Sequence, residues 1–351
     1  MHLHPANRGY LNQYISPRAG ETKVGQQLLT IDSNDIESSL IALQKNGAKF
    51  VIVGIPEDIG PRANLGRGGA DKGWDAFLSH FLNLQHNEFI KSEEIILLGH
   101  VQCQDLQQQS NKLALNKSVD LTTIRELVAQ LDERVSTVIK LVSSLDLTPI
   151  VIGGGHNNAL PIIQGIVAAK NTPIAAVNLD PHTDFRGLEG RHSGNGFSYA
   201  AQNKLLSHYY CLGMNELKNS AENIRQLKLH GFEFTSIQQI VHSRQISFEQ
   251  AVASAQQYLL ASNQPIGIEL DVDSIAYMPA SAYTNTGFSL ADASYYVHQM
   301  AQLPATCYLH LAEGAPCQHP SGIDAGFSDV GQGLSTLVSC FIQSKQRATN
   351  L

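Results

Sequence analysis

Ile174-Ala175-Ala176-Val177-Asn178-Leu179-Asp180-Pro181-His182-Thr183-Asp184-Phe185-Arg186 is the stretch on which the fold reading turns. Its first four residues are an apolar run that reads as a buried strand. Asp180, His182 and Asp184 then alternate with Pro181 and Thr183. In extended chain, residues two apart point to the same side, so two carboxylates and an imidazole converge on one spot. Neighbouring carboxylates repel each other, so such a trio is costly unless a cation holds it. A buried strand that ends in ligand-type residues fits an open α/β sheet, where ligands bind beyond the carboxyl ends of the strands.

On either side of this stretch the chain alternates between helix and strand patterns. The reading predicts helices over 34–47, 71–84, 121–144, 156–170, 216–229, 248–261, 290–302 and 329–343. Strands are predicted over 49–55, 94–98, 149–152, 208–212, 233–235, 265–271 and 306–311, besides the quoted one. Polar loops are expected at 57–69, at 103–119 and from the quoted stretch to about 195. About eight strands alternating with helices describe a mostly parallel sheet with helices on both faces. Residues 1–32 read as an irregular N-terminal arm. Residues 33–351 read as a single domain, since no linker or internal repeat divides them.

Composition removes several classes of function. A net charge of −7 provides no basic footprint for nucleic acid. No apolar run approaches the roughly 20 residues that span a bilayer. Met1-His2-Leu3-His4-Pro5 lacks the basic-then-apolar pattern of a signal peptide. Cys103, Cys211, Cys307, Cys317 and Cys340 are odd in number and free of CxxC spacing, as expected of reduced thiols. A cytoplasmic enzyme or binding protein is the expectation.

Two further constellations follow apolar strands. In Gly153-Gly154-Gly155-His156-Asn157-Asn158 the glycines allow positive φ and a close backbone approach, and His156 stands at the strand's end. The run has neither the Lys-Ser/Thr of a P-loop nor the spacing of a dinucleotide fingerprint. In Glu269-Leu270-Asp271-Val272-Asp273, two aspartates leave a buried strand on one face. Taken singly, each could be a cap or a polar turn. Together they are two histidines and four aspartates, all from strand ends. Oxygen and imidazole donors without thiolate favour Mn²⁺. Six ligands are too many for one catalytic ion, whereas bridging carboxylates can hold two ions roughly 3.5–4 Å apart and lower the pKa of water.

His156 within GGGH, the DPHTD run and the DVD run resemble, in order and spacing, the three metal motifs of the arginase or ureohydrolase family, from about residue 50 onward. The resemblance implies a three-layer α/β/α sandwich and two manganese ions per subunit. His156 and Asp184 would bind one ion, His182 and Asp273 the other, with Asp180 and Asp271 bridging and Asp184 orienting a bridging hydroxide. Glu313, in Leu311-Ala312-Glu313-Gly314-Ala315-Pro316, matches a family glutamate that faces the substrate's guanidinium or amidine. The Gly66–Gly69 loop is similar to the family's N-terminal segment.

Within the family the chain is most similar to the formimidoylglutamase branch. Arg186 sits where that branch carries arginine, and a guanidinium grips a carboxylate in bidentate fashion. The bland reading of Arg186 is a surface residue paired with Glu189. His192-Ser193-Gly194-Asn195-Gly196-Phe197 resembles a substrate-side segment of the same branch, with Ser193 and Asn195 as substrate contacts; the donor of a proton to the leaving nitrogen is either Asp184 or His192. Ile55–Gly60 and Ala280–Tyr283 also resemble it. Pro181, where a small residue is usual, and Asn157-Asn158, expected on the substrate side, depart from the family pattern.

The implied activity is hydrolysis of the C–N bond of N-formimidoyl-L-glutamate to glutamate and formamide, a step of histidine degradation, in a homo-oligomer acting on a small amidine or guanidine. The alternatives are a urea-releasing agmatinase, guanidinobutyrase or arginase, or a binding module that has lost catalysis.

Overall fold

A computed structural model of the chain describes residues 1–348, so the end of the expected domain, 349–351, lies outside the described residues. Among the described residues nine strands form one sheet: β1 Leu3–Pro5, β2 Phe50–Gly54, β3 Ile95–Val101, β4 Thr148–Ile152, β5 Ile174–Leu179, β6 Leu206–Met214, β7 Glu233–Ser236, β8 Ile266–Asp271 and β9 Thr306–Ala312. Their spatial order is β1-β3-β2-β4-β9-β8-β5-β6-β7. All pairings are parallel except that of β1, which runs antiparallel along β3.

Strand alternation divides the apolar residues between two cores. Ile52, Ile150, Val177, Ile268 and Leu309 face one side, packed with helices Gly73–Phe81, Phe248–Ala261, Leu290–Ala301 and Ile323–Ala348. Val51, Val53, Val151, Ala176 and Tyr308 face the other, under helices Ile36–Lys45, Ser118–Ser144, Ala159–Lys170 and Gly196–Gln202. The result is a three-layer α/β/α sandwich. The long helix buries Ile124, Leu127, Val128, Leu131, Val135, Val138, Ile139 and Val142, the stripe its sequence spacing predicts. Ser247 with Gln250, and Ser289 with Asp292, form capping boxes at the starts of two helices. No helix among the described residues is long and apolar enough to cross a membrane.

The topology places the site. β4, β9, β8 and β5 are adjacent in the middle of the sheet, and being parallel they end on the same edge. Consecutive β4 and β5 are separated by β9 and β8, so the chain leaves them in opposite directions and opens a crevice at their carboxyl ends.

Two predicted loops contain α-helix, and one further helix is outside the predicted set. Ile59–Ala63 interrupts 57–69, Gln104–Ser110 lies within 103–119, and Gly196–Gln202 starts where the third predicted loop ends. Gln104–Ser110 buries only Leu106 and Ser110, which leaves no apolar stripe to read. The last helix runs from Ile323 to Ala348, longer than expected, because its glycines dilute the apolar pattern. The N-terminal arm is not wholly irregular: Leu3, His4 and Pro5 pair with Val101, His100 and Gly99, and Ala6 N–H donates to Leu98 O at 3.0 Å.

Because β1 covers the outer edge of β3, deleting residues 1–6 should expose an unpaired strand edge. We expect a loss of roughly 1–3 kcal/mol of stability from the broken ladder. Melting temperature and light scattering would show this as a lower transition and greater self-association; unchanged values for both would refute it.

Candidate metal centre

Gly153 and Gly154 adopt φ of +83° and +71°, and a Cβ on Gly154 would crowd Glu57 Oε1 and Ile55 O. Glu57, fully buried, ties this turn down: its Oε1 accepts from Gly155 N–H and Asn158 Nδ2, both at 2.7 Å, and its Oε2 from Gly60 N–H at 3.0 Å. His156 emerges from the turn pointing inward. The DPHTD segment is held with comparable care. Asp180 Oδ1 accepts from His182 N–H at 2.6 Å and Oδ2 from Asn178 Nδ2 at 2.9 Å. Asn219 Oδ1 accepts from Thr183 N–H at 2.8 Å, and its Nδ2 donates to Pro181 O at 3.0 Å. Asp184 and Glu313 stand at φ of +45° and +69°, a region that costs non-glycine residues about 1–3 kcal/mol and collects at functional sites.

The six sequence-predicted ligands meet. His156 Nδ1 lies 3.2 Å from Asp180 Oδ2, 2.9 Å from Asp184 Oδ2 and 3.6 Å from Asp271 Oδ2. His182 Nδ1 lies 3.1 Å from Asp273 Oδ2 and 3.5 Å from Asp180 Oδ1. Two groups capable of holding an ion result, His156/Asp180/Asp184/Asp271 and Asp180/His182/Asp273. Asp180 belongs to both, whereas Asp271 groups with the His156 set.

The donor set fits divalent cations. Both His156 nitrogens and Asp273 Oδ1 are buried without a hydrogen-bond partner, although oxygens surround them. Ligands about 2.1 Å from an octahedral ion stand roughly 3 Å from one another, the spacing seen around His156 Nδ1. Charge points the same way. Burial, then repulsion from Asp273 and Asp180, pushes Asp271 well above its ordinary value, and burial and Asp180 push Asp184 up to about 6. Burial works against ionising Asp180, yet His156 and His182 hold it below the carboxylate range. Burial likewise disfavours charge on His156 and His182, but the carboxylates facing them push both above the usual histidine range. A cation among these groups relieves the carboxylate repulsion.

A cavity of about 530 Å³ opens over this cluster. Buried Asp184, Asp271, Asp273 and Glu313 line the cavity together with part-buried His182 and Ser281; exposed Arg186, Glu189 and Lys218 line its exposed end with part-buried Asn64, Asn219 and Asn223, and buried Ser193 also lines it. Glu313 Oε1 accepts from His156 N–H at 2.9 Å and Oε2 from Ser281 Oγ at 2.6 Å; burial pushes this carboxyl up to about 8. Arg186 is half exposed and donates to Asn64 Oδ1 at 2.9 Å, with Glu189 only at 4.0 Å, so it is a cavity residue more than one half of a surface pair.

Three expectations are corrected. His192 is fully buried: its Nδ1 accepts from Gly194 N–H at 3.1 Å and its Nε2 bonds Glu189 Oε1 at 3.2 Å. It therefore does not line the cavity, and burial lowers its pKa to about 4. Asn195 is equally buried and spent on structure, accepting from Arg191 Nη1 at 2.7 Å and donating to Gly190 O at 2.7 Å. Asn157 and Asn158 are buried against the loop around Gly60 and Glu57, away from the cavity.

Sequence reasoning missed Lys218, which sits in a motif-free turn after β6, and Asn219, the clamp on Thr183. It also missed Glu269, visible only as a lone charge inside a buried strand. Glu269 accepts from Tyr308 OH at 2.7 Å and from His310 Nδ1 at 2.6 Å, and lies 3.4 Å from His156 Nε2. Burial works against its charge, yet His310 and His156 hold the carboxyl down at about 2.

Residues 48–326 match the arginase family, and the chain belongs to that family. A formimidoylglutamase of Streptococcus pyogenes is 28% identical over 225 residues, covering 62% of this chain and 61% of its own length. The match thus spans about three fifths of that relative. Among solved structures, a variant of Trypanosoma cruzi formiminoglutamase with Mn²⁺ superposes with a TM-score of 0.69 at 19% identity, covering 94% of this chain and 99% of its own. Bacillus subtilis formimidoylglutamase gives 0.72 at 15% identity, covering 95% and 94%. These likenesses establish the shared three-layer fold.

The shared position of Asp180 predicts that Asp180→Asn weakens binding of both cations, whereas Asp273→Asn weakens only one. Calorimetric Mn²⁺ titration would resolve the two stoichiometries; equal losses in the two variants would refute the grouping.

Proposed function

We propose that the chain hydrolyses N-formimidoyl-L-glutamate to glutamate and formamide at a centre of two divalent cations, manganese by the donor chemistry. The observation that carries the reading is the polarity of the cavity. Its buried end holds the metal-type cluster and the Glu313 carboxylate; its exposed end holds the cationic side chains of Arg186 and Lys218. A molecule with an amidine at one end and two carboxylates at the other matches that order. The similarity to relatives named formimidoylglutamase supports the same choice.

His156 and Asp184 would hold one cation and His182 and Asp273 the other, with Asp180 shared and Asp271 beside the first. The bound ions would supply Lewis acidity and lower the pKa of water. The chain's own groups do the rest. Glu313, fixed by His156 N–H and Ser281 Oγ, accepts from the amidinium N–H groups and stabilises positive charge on the formimino carbon. Arg186 and Lys218 grip the glutamate carboxylates and set how far the amidine enters. Asp184, on the cavity wall, is placed to take the proton from water and pass it to the leaving nitrogen. His192, sealed behind Glu189, has no path to that nitrogen.

An agmatinase reading asks for an acidic group at the exposed end to receive the substrate's amine. Glu189 is the one carboxylate there among the described lining residues, and it already bonds His192.

Manganese-loaded protein offered both substrate types should release formamide and glutamate from N-formimidoyl-L-glutamate; urea from guanidino compounds alone would overturn the proposal. Arg186→Ala and Lys218→Ala should each raise KM roughly 10–100-fold with kcat little changed, the loss of one charged hydrogen bond. Unaltered KM in both would remove the carboxylate anchors from the reading.

A further inference from the structure

Beneath the cavity, a polar cluster lies between β8 and β9. Alternation sends Ile266, Ile268 and Leu270 into one core, so Gly267, Glu269 and Asp271 face the opposite side. On β9, Tyr308 is in register with Gly267, His310 with Glu269 and Ala312 with Asp271. Glu269, Tyr308 and His310 are all 0% exposed. The Tyr308 hydroxyl and His310 Nδ1–H occupy one oxygen each of the Glu269 carboxylate, at 2.7 and 2.6 Å. Gly267 makes this possible: a Cβ there would collide with the Tyr308 ring, which crosses β8 at that point.

Two hydrogen bonds give each carboxylate oxygen a partner, although His310 Nε2 stays buried without one. A third group nevertheless faces the carboxylate. His156 directs Nε2 toward Glu269 Oε2 at 3.4 Å while Nδ1 sits among Asp180, Asp184 and Asp271, and neither nitrogen has a hydrogen-bond partner. A histidine that offers Nδ1 to a cation carries its proton on Nε2, and such a ring is commonly oriented by a carboxylate accepting that proton. At His156 the carboxylate so placed is Glu269.

We propose that Glu269 is a positioning residue for the metal centre: it receives the Nε2–H of His156, fixing the tautomer that leaves Nδ1 free as a ligand, while Tyr308 and His310 fix Glu269. The inference rests on the reading of a two-cation centre and goes one layer deeper into it. It carries an asymmetry. His156 groups with Asp180, Asp184 and Asp271, and on its other nitrogen with Glu269 and His310, but not with His182 and Asp273, so Glu269 governs one cation of the pair and leaves the other alone.

The test is Mn²⁺ titration of the full chain by calorimetry, with electron paramagnetic resonance of the bound metal, for wild type, Glu269→Gln and Tyr308→Phe. Gln keeps the shape and loses the charge; Phe loses only the hydroxyl. Glu269→Gln should weaken one Mn²⁺ by roughly 10–100-fold and leave the other unchanged. An isolated-ion spectrum should then appear where the wild type shows a coupled pair. Tyr308→Phe should shift the same site in the same direction by less. Both ions bound as in wild type, or both weakened equally, would overturn the proposal and leave a cluster that serves only the core. If Glu269→Gln does not fold, Tyr308→Phe decides by the same criterion. Wild-type protein that takes up no Mn²⁺ would refute the two-cation reading itself, and this inference with it.

Discussion

The constraint on which the rest of this structure depends is repulsion among carboxylates brought together by parallel strands. Four adjacent strands end on one edge of the sheet, and two of them, β5 and β8, deliver Asp180, Asp184, Asp271 and Asp273 there, beside His156 from the turn after β4. In a low-dielectric setting that arrangement is unfavourable by itself, as the raised pKa of Asp271 and Asp184 records. The fold tolerates it because rigid strands and their anchored turns over-determine the positions. Asn219 and Tyr209 clamp Thr183, Glu57 clamps the glycine turn, and Asp184 is kept in a left-handed conformation. A divalent cation held there would relieve what the backbone imposes.

His156 also meets a group from a nearby strand. Glu269 and Asp271 are two residues apart on β8 and therefore share a face, one behind His156 and the other in front of it. The same alternation that builds the apolar core places a ligand and its support in sequence. Above them the cavity changes sign along its length, from carboxylates at the buried end to Arg186 and Lys218 at the exposed one. That gradient would orient a bipolar molecule before any single contact is considered.

Much of this was legible without coordinates. The eight longer strands, the long amphipathic helix and all six ligand candidates follow from hydrophobic period and from polar residues two apart after apolar runs. What escaped lacked a periodic signal. Leu3–Pro5 is too short to register, and Gln104–Ser110 has no apolar stripe. His192 and Asn195 look like site residues by proximity in sequence, yet one side chain caps a turn and the other binds Arg191 and two backbone carbonyls.

The sequence by itself determined the sheet-and-helix alternation, the candidate ligand set and the family, because these depend on residue type and short spacing. Only the tertiary structure decided that Asp180 is shared between two groups, that Lys218 faces Arg186's cavity, and that Glu269 stands behind His156. Those relations join strands far apart in the chain, and their geometry arises from sheet order and register, which no local pattern encodes.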